Sequence, residues 1–128
     1  MVKWFRYCLY AAAFMNVMGS LAFIFPLVTQ SNPLSMPEAH PLYLGTLSSW
    51  ILIFGIAYAW MAFMQKPERL FIAVAAACKV AIAILFFVFW LAGDLSFLAA
   101  SVGLGDLSFA IAFIYWLRQF NRYPSILD

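Results

Sequence analysis

The chain has 128 residues, of which 67% are hydrophobic, 20% aromatic and only 9% charged, with a mean hydropathy of +0.97. A soluble domain of this size carries a charged surface, about a quarter of its residues, so this composition excludes one and turns the surface towards lipid. A net charge of +2 excludes a nucleic-acid binder, and at ~20 residues per crossing the length predicts four transmembrane helices with no further soluble domain. The expected fold is therefore all-α: one transmembrane domain over residues 1–128, a four-helix bundle with antiparallel neighbours.

The first predicted span covers about 4–26 and follows Lys3 and Arg6. A basic start and an apolar run also describe a signal peptide. This run is long enough to span, and no clear Ala-x-Ala site follows, so it is read as a retained helix. Within it, Ala12, Asn16 and Ser20 recur every four residues and share one helical face.

The loop that follows, PLVTQSNPLSMPEAHP, has four prolines and reads as a plain connector, or else as a lid over an outward cavity or a contact for a partner, with Glu38 and His40 as the candidate outer-loop contacts. His40 is the only histidine. Bis-histidine haem ligation within one chain is thus excluded, and a metal site would need donors from elsewhere.

The second span covers about 42–64, with Gly45, Ser49, Leu52, Gly55 and Ala59 as its expected inward stripe. Lys66-Pro67 ends it. The third span covers about 68–91 and contains Lys79. Gly93-Asp94 makes the next turn, and the fourth span covers about 96–117 with Asp106 inside it.

Lys3, Arg6, Lys66, Arg69, Arg118 and Arg122 fall on one side of a four-span chain, while Glu38, His40 and Asp94 fall on the other. By the positive-inside rule both termini are expected to be cytoplasmic. Trp4, Tyr7, Trp60, Tyr115 and Trp116 are expected in an inner aromatic belt, and Tyr43 and Trp90 in an outer one.

The pentapeptide GDLSF occurs twice, at 93–97 and 105–109. Asp94 follows a glycine at the start of a helical run, where a carboxylate caps orphan N–H groups. Asp106 cannot repeat that role, because too few residues would remain before Arg118 to cross. It falls near the middle of its span, where a charged side chain costs about 2.5–3.5 kcal/mol without a partner. Lys79 is the matching cation. At helical rise it lies ~16 Å from the basic side and Asp106 ~18 Å, and Asn16 reaches a similar depth. Asn16, Lys79 and Asp106 are therefore the expected intramembrane polar cluster. As a structural pair they would fix helix register; as a working site they would bind a proton, an ion or a small polar ligand.

Cys8 and Cys78 lie singly in apolar runs and predict neither a disulfide, a zinc site nor a thiol redox motif. No phosphate-binding glycine loop, nucleophile elbow or H-E-x-x-H motif is present, so no catalytic residue, cofactor or metal is predicted.

HPLYLGTLSSWILIFGIAYAW in span two, KPERL at the following turn, the lysine of span three and the doubled GDLSF together resemble small four-helix bacterial inner-membrane proteins of the DoxX-like kind. Span two departs from that pattern in having no internal acidic residue. The resemblance implies architecture and a bacterial inner-membrane location. The expected function is a non-enzymatic accessory, assembly or small-ligand-binding subunit, in contact with the lipid bilayer and with further copies or a larger membrane complex. The alternative is a small proton- or ion-coupled transporter or channel using Lys79 and Asp106.

Overall fold

The computed structural model describes residues 1–29 and 37–122. They form four α-helices: α1, Lys3–Thr29; α2, Pro41–Met64; α3, Arg69–Leu91; and α4, Phe97–Arg122. Each has a stretch long and apolar enough to cross a membrane, the pattern of a multi-pass integral membrane protein. In hydrocarbon a spanning segment must satisfy its own backbone N–H and C=O groups, and an unbroken helix does so.

Local chemistry sets the helix ends. α1 runs three residues past residue 26, the expected end of the first span. The middle of the predicted loop, 30–36, lies outside the described residues. His40 caps α2, accepting the Leu42 N–H at Nδ1 (3.1 Å), with Pro41 at the first helical position. α2 ends where Gln65 turns left-handed (φ 54°) and donates its N–H to Met61 O.

At the end of α3, Gly93 adopts φ +88°. Gly93 N–H bonds Trp90 O (3.0 Å) and Asp94 N–H bonds Phe89 O (2.9 Å), a Schellman closure. The expected capping role of Asp94 is thereby corrected: its backbone finishes α3, and its side chain is exposed. The cap of α4 is Ser96, whose Oγ accepts the Ala99 N–H at 3.2 Å.

The helices pair as two hairpins, α1 with α2 and α3 with α4. Arg6 meets Ala62, Asn16 meets Ile51 and Ser20 meets Ser48, so the partner number falls as the residue number rises and the two helices run antiparallel. The same reversal holds between Lys79–Asp106 and the approach of Gly103 to Phe86. Lys3, Arg6, Lys66 and Arg69 mark one end of the bundle, called here the basic end; the turns after α1 and α3 mark the loop end.

The large hydrophobic cluster of the core lies in the basic-end half. Phe5 stacks on Trp116 (centroids 4.6 Å, planes 9° apart), and Tyr58 packs edge-on against Phe71 and Phe113. Leu9, Met61, Ile72 and Ala75 fill the space around them. Between hairpins the meeting is thus made by large side chains, with backbones in close approach chiefly between α1 and α4. Arg6 Nε donates to Ala62 O in the last turn of α2 (3.0 Å), where a cation offsets the negative end of the helix dipole.

Two expectations need correction here. Trp116 belongs to this core and not to an interfacial belt; it is fully buried, whereas Trp4, Tyr7, Trp60 and Tyr115 are exposed. The inward residues of α2 are Ser48, Gly55, Tyr58, Met61 and Ala62. Of the expected stripe only Gly55 is buried, and Ser49 and Leu52 are exposed. The need to bury Tyr58 against α3 and α4 rotates the helix away from its row of small residues.

Candidate functional site

Lys79 stands at the middle of α3, Asp106 at the middle of α4 and Asn16 at the middle of α1. The structure brings the three together. Lys79 Nζ lies 3.0 Å from Asp106 Oδ1 and donates to Asn16 Oδ1 at 3.4 Å. Asn16 Nδ2 donates to Ile51 O at 2.9 Å. These two bonds fix the orientation of the amide, since only its oxygen can accept from an ammonium.

Backbone approach makes this placement possible. Gly55 faces α1 so closely that an added Cβ would sit 2.9 Å from Asn16 Cβ and 3.3 Å from Ala13 O. Above it, towards the loop end, Ser48 Oγ donates to Ser20 O at 2.8 Å and lies 3.0 Å from Ser20 Oγ. Gly105, next to Asp106, leaves room for Met15, whose Cε would meet an added Cβ at 3.0 Å.

The ammonium is enclosed, with 5% of Lys79 exposed, while the Asp106 side chain keeps 16%. Nζ also lies over the rings of Tyr58 and Phe109, both centroids at 5.5 Å, which adds cation–π attraction. Tyr58 is a member of this site that sequence reasoning did not find. An aromatic within an apolar run carries no mark of facing a charge.

Lys79 has three N–H groups and uses two of them; among the described residues the third has no hydrogen-bond partner, and neither has Asp106 Oδ2. Both groups line a half-enclosed cleft of about 500 Å³ between the two hairpins. The cleft extends from the Lys79–Asp106 floor into the loop-end half, and its walls are apolar, with Met15, Phe23, Trp50, Phe54, Phe86 and Val102 from all four helices. Its volume is in the range of small-molecule sites, ~300–1,000 Å³. Cys78 also lines it and is exposed, whereas Cys8 is half-buried; both thiols are free. A second groove of about 460 Å³ runs between α3 and α4 over Gly103 and has no charged lining residue.

The structure does not bring Glu38, His40 and Asp94 into the cluster. All three are exposed in the turns of the loop end, and His40 is occupied as a helix cap. Among the described residues no three His, Cys, Asp or Glu side chains converge as a metal site would need. No protein-family model, curated protein or solved structure matches the chain.

Proposed function

We propose that this integral membrane protein is a non-enzymatic binding subunit whose cleft takes a small, largely apolar molecule, with Lys79 and Asp106 holding its polar end. One observation carries the reading: a buried ion pair at bilayer depth forms the floor of an open apolar cleft and keeps one donor and one acceptor uncommitted. Ionisable groups inside a membrane mark binding sites or pathways, and apolar walls with a few convergent polar groups describe a ligand pocket. The setting that fits is the bacterial inner membrane, with both termini cytoplasmic from the one-sided basic residues. A DoxX-like relationship, and a place in a homo-oligomer or a larger complex, belong to the same proposal.

A second reading, proton- or ion-coupled transport, is favoured by the partial exposure of the Asp106 carboxylate to the cleft. Transport requires flux across proteoliposomes, which binding alone does not produce.

The test is a comparison of variants. Asp106→Asn strands the buried ammonium and should reduce accumulation in the membrane, by the equivalent of about 3 kcal/mol. Lys79→Met with Asp106→Leu replaces the pair by apolar bulk and should restore accumulation, yet lose the small molecule that organic extraction and mass spectrometry recover from the native protein. A double variant that accumulates and retains the same molecule in equal amount would overturn the binding role.

A further inference from the structure

We infer that the ligand is a single-chain amphiphile with an uncharged head that both accepts and donates hydrogen bonds, such as a primary amide or an alcohol. This rests on the ligand-binding reading above and specifies its chemistry. The floor of the cleft sets the head group. Lys79 and Asp106 neutralise one another at 3.0 Å. A carboxylate or phosphate head would bring a second anion beside Asp106, and an ammonium head a second cation beside Lys79. Either would introduce an unbalanced charge into a site of low polarity, which is costly. A neutral head adds none.

The uncommitted groups narrow the choice. The third N–H of Lys79 needs an acceptor, and Asp106 Oδ2 needs a donor. Their parent atoms belong to one ion pair, so a compact head reaches both. A primary amide offers a carbonyl oxygen to the ammonium and an N–H to the carboxylate; a hydroxyl does both with one oxygen. An ester satisfies only the ammonium. Asn16 does not take the ligand's place: its Oδ1 accepts from Lys79, one Nδ2–H goes to Ile51 O, and no bond joins its second N–H to Asp106.

The walls set the tail. About 500 Å³ distributed along the gap between two hairpins suits one chain. The flexible side chains of Met15 and Met18, which adapt to a thin apolar occupant, and the flat faces of Trp50 and Phe54 line its course.

Cys78 places a reporter in the cleft. In a Cys8→Ser protein, purified whole in detergent, the alkylation rate of Cys78 by N-ethylmaleimide is followed against four probes with the same saturated chain. Their heads are a primary amide, a methyl ester, a carboxylate and a quaternary ammonium. The amide should protect Cys78 at a concentration at least about tenfold lower than each of the other three, the loss expected when a hydrogen bond to a charged group is left unmade. In Lys79→Met with Asp106→Leu the amide and ester should protect within about twofold of one another.

The ranking on the native pair decides by itself, so poor accumulation of the double variant does not remove the test. Protection by the carboxylate, the ammonium or the ester equal to or better than the amide overturns the head-group assignment and leaves the cleft a ligand site. Absence of protection by all four overturns the binding role of the cleft as well.

Discussion

The two halves of this bundle are built from the same kind of helix and are held together in different ways. In the basic-end half, Phe5, Tyr58, Phe113 and Trp116 fill the space between the hairpins with ring-on-ring contacts. In the loop-end half, bonds and close approaches occur within each hairpin, Ser20 with Ser48 and Gly103 with Phe86, and a cleft separates the pairs. Hydrophobicity does not explain the difference, because lipid is as apolar as either half. In a membrane, shape and packing decide which surfaces stay together. Large rings fastened across one end, with no matching set among the described residues at the other, yield a clamp with Lys79 and Asp106 at its base.

The largest expected effect breaks the clamp at its fastened end. Trp116→Ala removes the ring stacked on Phe5 and should destabilise the protein by about 3–5 kcal/mol, the range for aromatic residues deleted from a packed core. Phe23→Ala, on the cleft wall, removes a ring already facing open space and should cost no more than about 1 kcal/mol. Thermal unfolding in a single detergent measures both. Equal losses would mean that the loop-end half is packed as tightly as the other, and the comparison between them would fail.

That contrast was only partly legible in the sequence. The number of spans and the placement of the basic residues are composition-level facts, and lipid leaves helices little choice. The common depth of Asn16, Lys79 and Asp106 followed from counting residues, since polar groups inside a span are rare enough to be noticed. Which side each apolar residue faces was not legible. The helices are apolar all round, so no amphipathic stripe marks the inward face. Small residues were a misleading guide in α2, where Tyr58 and Ser48 face inwards and Ser49 and Leu52 do not. Trp116 looked interfacial because it lies near Arg118, yet its partner Phe5 is over a hundred residues away in the chain. Asp94 and Ser96 are both good capping residues, and the choice turned on the left-handed Gly93, which commits Asp94 to closing α3.

A smaller effect sharpens the comparison at the level of the charged floor. Gly55→Ala adds a methyl 2.9 Å from Asn16 Cβ and 3.3 Å from the Ala13 carbonyl, with backbone on one side and a residue bound to Lys79 on the other. Neither neighbour can move without loosening α1 from α2, so the expected loss is about 1–3 kcal/mol by overpacking. Gly19→Ala is the control: its methyl would meet Ile51 Cγ2 at 3.7 Å, an ordinary contact, and stability should stay within about 0.5 kcal/mol. Unfolding midpoints of the two variants should therefore separate clearly. Similar midpoints would show that α1 can retreat from α2 at Gly55 at little cost, and Asn16 would not be held by close packing.

The smallest effect concerns the polar bonds of the loop-end half. Ser48 Oγ donates to Ser20 O, so Ser20 Oγ is left to donate to Ser48 Oγ, and the two serines satisfy each other without water. Hydrogen bonds between helices in membranes contribute about 0.6 kcal/mol on average and reach ~1.7 at most. A double-mutant cycle with Ser20→Ala and Ser48→Ala should give a coupling near the lower figure. The serines are buried, so the value is expected to be positive; water or lipid polar groups would otherwise replace the lost partner. Ser101 provides the reference, because its Oγ bonds Leu98 O of its own helix, and Ser101→Ala should show no coupling to Ser48→Ala. A coupling above ~2 kcal/mol between Ser20 and Ser48 would make polar bonding the main tie of the first hairpin at the loop end. The hairpin walls would then owe their position to two hydroxyls, and the open cleft would be less a consequence of where the aromatic rings sit than of where the serines do.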